Sequence, residues 1–418
     1  MKPSSPFRIV IVGGGIAGLT AAIALRAHNR RVVVLEQSRL NKEIGALISL
    51  QPNATKIVYN TWGLGKHLED ARGLVDEGFR VYSTSGELVN EVPLTTRTEY
   101  GANRIMYHRM DLHDALKKAA LSTDRDGDPV EIRVSSRVVA CDPVKGTVEL
   151  ADGSLVEGDI IVGADGIHSV LRKYVLDRDV TPLPTGHSAY RLMIPSDVLE
   201  EQEKEFCSKI NPRSPFTSMM IAHNCRLIMG PGRQGDVFGI VALVPDEQIN
   251  EDPNEKQSWV AEGNLGKMLD TFSEFPEWIT SIFKHSADLG LWQLRDIDPL
   301  ESWSRGRLIL IGDASHAMLP TQGQGASQAV EDSEALGAFF ANITAAPALE
   351  EIERIFQDIF QSRQARASLI QAYSRQAAKP GATKGGKTVT MKLDEFMAFN
   401  CMYNGAKEWL QRQVDSKV

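Results

Sequence analysis

A glycine-rich turn near the start of the chain constrains its fold more strongly than any other feature. The β-branched run Arg8 to Val12 predicts a strand, and the apolar spacing of Ile16 to Ala27 predicts a helix. Gly13-Gly14-Gly15-Ile16-Ala17-Gly18 joins the two, and another apolar run follows at Arg31 to Leu35. This order of strand, glycine turn, helix and strand is a βαβ unit, which predicts a parallel sheet.

Three glycines of this turn have separate predicted roles. Gly13 permits the tight turn, Gly15 lets a pyrophosphate approach the backbone, and Gly18 lets the helix pack closely against the strand. The helix N-terminus adds free N–H groups for phosphate oxygens. Glu36 ends the second strand 18 residues after Gly18, where an acidic side chain accepts hydrogen bonds from ribose hydroxyls. The segment predicts a dinucleotide site but does not separate FAD from NAD.

A second motif does separate the two cofactors. The buried-strand signature Arg307 to Ile311 is followed by Gly-Asp, and Asp313 at that strand end can hold the ribityl hydroxyls of a flavin. Gly323, Gly325 and Ala326 follow in a glycine-rich loop that leads into a helix. Such a helix start can face the pyrimidine edge of a flavin and stabilise negative charge on the reduced ring. The two motifs together predict FAD.

A third motif, Asp165-Gly166, follows an apolar strand predicted at Asp159 to Val162, and on its own it is typical of a turn. In this order the three motifs resemble the class A flavoprotein monooxygenases of the para-hydroxybenzoate hydroxylase type. The chain is most similar to the fungal, salicylate-hydroxylase-like branch of that family. The resemblance runs from about residue 7 to about residue 375 and so covers most of the chain.

The resemblance implies a set of cofactor-binding positions that includes those argued above and adds others. They are Gly13, Gly15, Gly18 and Glu36 in the ADP-binding segment, Gly45 and Ala46 in a loop near the flavin, Arg109, Asp165 and Gly166, Asp313, and Gly323, Gly325 and Ala326 in the flavin-facing loop. Asp165 and Gly166 are linked in the family to both FAD and the nicotinamide cofactor. Leu47 departs from the small residue that is usual after the Gly-Ala pair.

Arg191 and His223 are the candidate catalytic residues. Arg191 lies near the start of the sheet predicted to hold the substrate, and the resemblance implies an arginine there that lies over the flavin or orients the substrate. A fixed cation at that place would stabilise a developing phenolate or the departing hydroxide. His223, on a later strand, would handle a proton or contact the substrate. The alternatives are a surface arginine in a salt bridge and a structural histidine. His316 is expected near the flavin, where it would brace the loop.

One further glycine motif is interpreted as a hairpin turn. Gly230-Pro231-Gly232-Arg233-Gln234-Gly235 has the spacing of a dinucleotide fingerprint, but Val237 to Val244 after it predicts a strand and not a helix. No second dinucleotide domain is therefore expected, in agreement with the family, which holds NAD(P)H only transiently. The scattered histidines predict no metal site.

These assignments give an α/β fold with a discontinuous first domain. A Rossmann-like FAD-binding domain is expected over residues 1–175 and is completed by about 290–345. A second, sheet-containing domain that binds substrate is expected over 176–289, where strands of mixed polarity alternate with loops. A C-terminal helical segment takes 346–418.

The resemblance implies an FAD-dependent monooxygenase that uses NADPH or NADH as a transient co-substrate, together with O2. Through a flavin hydroperoxide it would hydroxylate or epoxidise a small electron-rich aromatic substrate, such as a phenol, an aromatic acid or an indole, in secondary metabolism of the fungal kind. Two alternatives stay open: a flavin-dependent dehydrogenase or reductase that inserts no oxygen, and a non-catalytic Rossmann-type binding protein. A flavin-dependent halogenase is disfavoured, because the chain has no Trp-x-Trp-x-Ile-Pro segment.

Composition excludes some partners and leaves others open. A net charge of −8 argues against nucleic-acid binding, which needs a basic face. The sequence has no apolar stretch long enough to span a bilayer, so no membrane association is expected. The four cysteines form no CxxC pair, which favours reduced thiols and a cytoplasmic location. The sequence is compatible with a monomer or a homodimer.

Overall fold

The computed structural model describes residues 6–39, 46–222, 225–249, 261–286, 288–378 and 390–415. The strands in these ranges are β1 (Phe7–Val12), β2 (Arg30–Leu35), β3 (Leu47–Leu50), β4 (Leu74–Val75), β5 (Gly78–Tyr82), β6 (Leu88–Pro93), β7 (Ile105–His108), β8 (Glu131–Arg133), β9 (Val138–Asp142), β10 (Thr147–Leu150), β11 (Leu155–Glu157), β12 (Ile160–Gly163), β13 (Leu183–Pro195), β14 (Phe216–Ala222), β15 (Cys225–Gly232), β16 (Val237–Pro245), β17 (Ala261–Glu262), β18 (Gly290–Asp296), β19 (Ser304–Arg305) and β20 (Leu308–Leu310).

The α-helices in the same ranges are α1 (Ile16–Leu25), α2 (Pro52–Lys56), α3 (Gly65–Leu68), α4 (Thr96–Tyr100), α5 (Arg109–Leu121), α6 (Arg172–Leu176), α7 (Ser196–Gln202), α8 (Lys204–Lys209), α9 (Leu265–Thr271), α10 (Glu277–Thr280), α11 (Asp313–His316), α12 (Gly325–Phe340), α13 (Leu349–Ala378), α14 (Leu393–Cys401) and α15 (Ala406–Asp415). None of these helices is both long enough and apolar enough to cross a membrane.

The first large sheet contains the predicted βαβ unit. Its strand order is β19-β20-β12-β1-β2-β8, and β1 runs parallel to both β2 and β12. Ile9 and Ile11 of β1 pack against α1, α5 and α12, whereas Val10 and Val12 pack on the opposite side of the sheet. A strand that is covered on both faces needs apolar side chains at successive positions, which explains the uninterrupted run in the sequence.

The second large sheet has eight strands in the order β17-β18-β13-β16-β15-β14-β5-β6. Strands β5 and β6 join it because β5 pairs in parallel with β14, far along the chain. Tyr190, Leu192 and Ile240 on one face are buried against Phe206 and Phe272 of the covering helices. That face forms the core of this part of the molecule, and the other face is left for the cofactor loops.

The other face of the second sheet meets the nucleotide-binding part. Ala189, Leu243 and Leu294 from three of its strands pack against Leu319, which precedes the glycine-rich loop predicted to face the flavin. Because successive side chains of a strand point to opposite faces of the sheet, these residues lie on the face opposite the core. The mixed α/β architecture predicted from the sequence is confirmed, including the C-terminal helices α13, α14 and α15.

Candidate active site

In the turn after β1, two glycines lie so close to neighbouring backbone that no side chain fits, whereas a third has open space around it. Gly13 has a φ of 105°, and a Cβ added there would lie 2.3 Å from the carbonyl oxygen of Ala164. A Cβ on Gly18 would lie 1.9 Å from the carbonyl oxygen of Gly13. A Cβ on Gly15 would meet no atom of the described residues within 4 Å. Gly13 and Gly18 are therefore required by packing, whereas the space at Gly15 remains for a ligand that approaches the N-terminus of α1.

Glu36 lies beside this turn at the end of β2. Its half-buried carboxylate accepts hydrogen bonds from the backbone N–H of Gly14 at 2.7 Å and from that of Ser38 at 2.7 Å. A carboxylate has more lone pairs than these two bonds use. Glu36 thus stiffens the turn and keeps acceptor capacity at the place where the sequence predicts a ribose.

Asp313 begins α11, directly after β20 and Gly312. Its side chain is exposed to solvent although protein surrounds it, as expected for a group on the floor of a cleft. The surrounding protein raises the pKa of Asp313, and the charges of Arg109 and Arg172 partly offset that rise. A carboxylate on the floor of a cleft, with oxygens that accept no side-chain or backbone hydrogen bond from the described residues, suits the hydroxyls of a ribityl chain.

His316 and Asp332 hold the Asp313 turn from below. The Asp332 carboxylate accepts a hydrogen bond from the N–H of Gly312 at 2.8 Å and lies 2.6 Å from His316 Nε2. Burial alone would raise the pKa of Asp332, but nearby positive charge, including that of Arg363, lowers it to about 2. His316 itself is buried, and its ring lies 5.1 Å from the Trp303 ring at a tilt of 51°. His316 therefore braces the loop and does not face the cleft.

The flavin-facing loop combines a left-handed glycine with a second open position. Gly323 has a φ of 60°, and a Cβ there would lie 3.1 Å from Gln51 Nε2 and 3.3 Å from Ser49 Oγ. Gly325 is the first residue of α12, and a Cβ there would meet nothing within 4 Å in the part of the chain that the structure describes. Gly15 and Gly325 are thus two helix starts with room for a ligand above the backbone, and Ala326 follows as a half-buried residue.

Two arginines from different parts of the chain share this cleft. Arg109 begins α5, and its backbone N–H donates to the carbonyl oxygen of Ala46 at 2.8 Å. Its charge lowers the pKa of both Asp313 and Arg191, so Arg109 is within electrostatic reach of each of these two side chains. Ala46 itself is buried.

Arg191 lies on β13, on the sheet face that meets the cofactor loops. Its guanidinium lies 4.6 Å from the centre of the Trp292 ring. Burial, reinforced by the charge of Arg109, lowers the pKa of Arg191 to about 10, so the side chain is still protonated at neutral pH. Arg191 pairs across the strands with Gly290, where a Cβ would lie 2.1 Å from the Trp292 ring. The absence of a side chain at Gly290 makes room for the ring that supports Arg191.

The Asp165-Gly166 motif forms the loop that packs against the glycine-rich turn. Asp165 Oδ2 accepts hydrogen bonds from the N–H of Val170 at 2.8 Å and of Leu171 at 3.1 Å, while Oδ1 is buried without a hydrogen-bond partner. Burial raises the pKa of Asp165. Gly166 has a φ of 77°, as the turn requires. Asp165 therefore orders this loop, and any direct contact with FAD stays a prediction.

Gly45 and His223 lie outside the described residues. Leu47, just after Gly45 and Ala46, places its side chain against the second sheet, since a Cβ on Gly239 would lie 2.5 Å from it. The two glycines of β15 and β16 that face Leu47, Gly232 and Gly239, thus accommodate the large residue that departs from the family pattern.

The hairpin interpretation of Gly230 to Gly235 is confirmed. β15 ends at Gly232 and β16 begins at Val237, so the segment connects two antiparallel strands. Arg233 of this hairpin forms an ion pair with Asp111 in the first turn of α5. The motif therefore joins the second sheet to the helix that carries Arg109.

Several buried charged residues under the site were missed by sequence reasoning. Arg172 donates to the carbonyl oxygens of Ala314 at 2.8 Å and of Asp313 at 3.1 Å, which ties the loop after β12 to the Asp313 turn. Behind α11, an ionic cluster links α12 and α13: Glu331, Asp332, Arg363 and Arg366. A charged residue in an amphipathic helix predicts a solvated face, so only the helix packing identifies these side chains as buried.

This geometry fits a flavin cofactor. Two open helix starts suit the negatively charged pyrophosphate and pyrimidine edge, a carboxylate on the cleft floor suits the ribityl hydroxyls, and a protonated arginine lies on the opposing sheet. Fold and site together define a flavin-dependent oxidoreductase.

Known proteins similar to this chain are also flavin-dependent oxidoreductases, and they define the class more narrowly. The chain matches the FAD binding domain family over residues 7–352, and it belongs to that family. Among curated relatives it is similar to 3-hydroxybenzoate 6-hydroxylase 1 of Aquipseudomonas alcaligenes, at 32% identity over 94% of this chain and 97% of that protein. It is also similar to hispidin-3-hydroxylase of Neonothopanus nambi, at 31% identity over 88% of this chain and 87% of that protein.

A solved structure extends the similarity to three dimensions. A substrate complex of salicylate hydroxylase superposes with a TM-score of 0.76 at 26% identity, covering 97% of this chain and 98% of the other. The predicted resemblance to this branch of the monooxygenases is confirmed, and the chain is an FAD-dependent monooxygenase. Of the open alternatives, these relatives favour oxygen insertion over dehydrogenase or reductase activity without it.

Proposed function

We propose that the protein hydroxylates a small, electron-rich aromatic substrate held between the second sheet and the flavin-facing loop. The observation that carries this proposal is that Arg109 lies within electrostatic reach of both Asp313, at the start of α11, and Arg191, on the second sheet. Curated relatives named as hydroxylases of hispidin and of 3-hydroxybenzoate support a phenolic substrate. Bound FAD supplies the redox chemistry, taking electrons from NADPH or NADH and activating O2 for transfer of one oxygen atom to the substrate.

The residues of the glycine-rich turn and of the Asp313 turn would hold the cofactor. The open backbone at Gly15 and the N-terminus of α1 bind the pyrophosphate, and Glu36 accepts from ribose hydroxyls. Asp313 accepts from the ribityl hydroxyls, and the N-terminus of α12 at Gly325 stabilises negative charge on the pyrimidine edge. Arg109 contributes positive charge to the same cleft.

Arg191 would act on the substrate side of the cleft. Its guanidinium is held against Trp292 and keeps its proton, so it provides a fixed positive charge. Such a charge stabilises a phenolate that develops as oxygen is transferred, without reorganisation at the moment of reaction. Apolar side chains beside it, including Ala189 and Leu243, exclude water from the cleft.

The proposal is tested with Arg191→Ala, measured for FAD content, product and hydrogen peroxide together. We expect FAD content to stay at the parent level and turnover to fall on the order of 10²-fold, since one preorganised charge is removed. Peroxide should rise as product falls, because reduced flavin still reacts with O2. Normal product yield would contradict the role of Arg191, and loss of FAD would show that the side chain serves the cofactor instead.

Arg80→Ala is the matched control for this experiment. Arg80 lies on β5 of the same sheet, stacks 3.7 Å from the ring centre of Phe216 and pairs with Glu91. Its loss should leave product and peroxide at parent values. A panel of phenols, aromatic acids and indoles, scored by how far each accelerates flavin reduction by NAD(P)H, would then identify the substrate class.

Two further properties belong to this proposal. All four cysteines are free thiols, which supports a cytoplasmic location. The division into an FAD-binding domain, a substrate-binding sheet domain and a C-terminal helical segment is supported by the separate apolar cores on either side of the cleft.

A further inference from the structure

An ionic cluster without solvent exposure joins α12 to α13 behind the cofactor site. Glu331 and Asp332 are adjacent on α12, and Arg363 and Arg366 lie one turn apart on α13. None of the four side chains has exposed surface. Burying four charges is expensive even when they are paired, and apolar side chains would join two helices at lower cost. The cluster therefore calls for an explanation other than helix packing.

One end of the cluster reaches the turn that carries Asp313. Arg363 Nε donates to one oxygen of Asp332 at 2.9 Å, and the other oxygen accepts from the N–H of Gly312 at 2.8 Å. The same oxygen lies 2.6 Å from His316 Nε2. Any movement of Asp332 would therefore displace the backbone that leads directly into Asp313.

A second branch reaches the flavin-facing loop. Glu331 Oε1 accepts from Asn53 Nδ2 at 2.5 Å, and Asn53 also donates to Gln324 Oε1 at 3.2 Å. Gln328 Nε2 donates to the same Gln324 oxygen at 3.2 Å. Gln324 immediately precedes Gly325, the open helix start, so the acidic pair on α12 is connected to both cofactor-facing turns.

The opposite end of the cluster reaches the C-terminal helices. Arg366 makes a bidentate pair with Glu331, at 2.8 Å for each bond, and donates to the carbonyl oxygens of Phe399 at 2.6 Å and Asn400 at 2.8 Å. Three aromatic rings surround its guanidinium at 4.9 to 5.2 Å: Phe399, Tyr403 and Trp409. One arginine thus contacts α12 and the segment 390–415 at once.

A separate contact fixes the same segment to α12. Glu334 accepts from the N–H of Ala406 at 2.9 Å and from the hydroxyl of Tyr403 at 3.1 Å. Residues 390–415 lie beyond the part of the chain that matches the FAD binding domain family, which ends at residue 352. The segment packs against α12 and α13, and Lys56 of α2 adds a further hydrogen bond to Asn404 Oδ1 at 3.3 Å.

We propose that Arg363 and Arg366 are positioning residues through which the docked segment 390–415 sets the geometry of the FAD site. The segment fixes Arg366, Arg366 and Arg363 fix the acidic pair, and the acidic pair fixes the Asp313 turn and the start of α12. Undocking the segment shifts both turns, which weakens FAD binding and weakens the field of the α12 N-terminus on the reduced flavin. The proposal rests on the assignment of Asp313 and Gly325 to FAD.

The test is Trp409→Ala, which loosens the segment at its outer end without touching the cleft. Substitutions within such a network change the coupling between sites, and we expect the FAD dissociation constant to rise about tenfold. The reduction potential of bound FAD should become more negative, because the reduced, negatively charged flavin loses stabilisation. Arg412→Ala is the matched control, since Arg412 lies on the same helix α15 and, within residues 390–415, pairs with the exposed Glu408.

Arg366→Lys and Arg366→Met provide a second, graded series. Lysine keeps the charge but loses the bidentate fork and the planar stacking surface, so FAD affinity and potential should lie between parent and methionine variant. If Arg366→Met does not fold, Trp409→Ala and Arg366→Lys decide the question. Lower thermal stability with parent FAD affinity and parent potential in both would overturn the proposal and leave the cluster structural.

Asp313→Ala, measured in parallel, separates this inference from the proposed function. If Asp313→Ala binds FAD as tightly as the parent, the cofactor assignment itself fails. If Asp313→Ala loses FAD while Trp409→Ala and Arg366→Lys keep parent affinity and potential, the assignment stands and only the coupling to the C-terminal segment is refuted.

Discussion

Gly15→Ala and Gly18→Ala should separate a glycine that serves the ligand from one that serves the fold. Gly15 has φ and ψ of −73° and −173°, which alanine adopts freely, and a Cβ there meets no described residue within 4 Å. Alanine is a poorer N-cap than glycine but restricts the unfolded chain, and these effects nearly cancel. We expect the free energy of unfolding of Gly15→Ala apoprotein to lie within about 1 kcal/mol of the parent value.

FAD binding should respond in the opposite way. The added methyl group at Gly15 occupies the space through which the pyrophosphate approaches the backbone N–H groups. Losing even two hydrogen bonds to a charged oxygen costs about 3 kcal/mol, which is roughly 100-fold or more in the dissociation constant. In Gly18→Ala the Cβ would lie 1.9 Å from the carbonyl oxygen of Gly13, so α1 must move by about 1 Å. Overpacking of that kind costs about 1–3 kcal/mol of stability.

The assay is FAD titration into apoprotein, followed by quenching of flavin fluorescence, together with thermal unfolding followed by circular dichroism. Gly266→Ala is the control, because Gly266 lies on α9 in the helices that cover the second sheet. Among the described residues outside the helix backbone, its added Cβ would meet Asn264 Oδ1 at 3.2 Å. Parent FAD affinity in Gly15→Ala would refute the placement of the pyrophosphate. If Gly15→Ala destabilised the apoprotein as much as Gly18→Ala does, the space at Gly15 would not be open.

Two more perturbations follow from the site. Asp313→Asn should weaken FAD binding on the order of 10- to 100-fold through loss of a charged acceptor. The fold raises the pKa of Asp313, so the charged carboxylate destabilises the apoprotein at pH 7, and the variant should unfold at a higher temperature than the parent there. The difference in unfolding temperature should vanish below the pKa of the unfolded chain, near pH 4. A difference that persists at pH 3 would contradict this. Trp292→Leu should lower product yield and raise peroxide as Arg191→Ala does, but by less, because Arg191 keeps its charge and loses only the ring that supports it. An unchanged ratio of product to peroxide would mean that the ring does not position the arginine.

The glycine-rich turn and the Asp313 strand end could be predicted because their geometry is local. Close backbone contacts around the first turn require glycine at positions 13 and 18, and Glu36 follows at the spacing that the motif predicts for its acidic residue. Arg191 could be proposed from its place on a strand, but its support by Trp292 depends on a glycine at position 290 on the neighbouring strand. That contact is visible only when the strands are in register.

The buried cluster could not be predicted, because its residues have the composition of a solvent-exposed helix face. Glu331, Asp332, Arg363 and Arg366 become buried only when α12, α13 and the C-terminal helices pack together. The pairing of β5 with β14 could not be predicted either, because parallel strands that lie so far apart along the chain leave no local sequence signal of their pairing. Whether Asp165 contacts FAD stays a prediction, because its carboxylate is engaged by the backbone of its own loop.

The central claim, that this chain uses bound FAD to insert oxygen into an aromatic substrate, is tested most directly by turnover under ¹⁸O₂. Purified protein, NADPH or NADH and the best substrate from the panel are incubated under labelled gas, and the product is analysed by mass spectrometry. The account predicts one labelled oxygen atom in each product molecule and equal consumption of reduced nicotinamide and O2. An oxidised product without the label, formed with no matching oxygen uptake, would contradict it and identify a dehydrogenase.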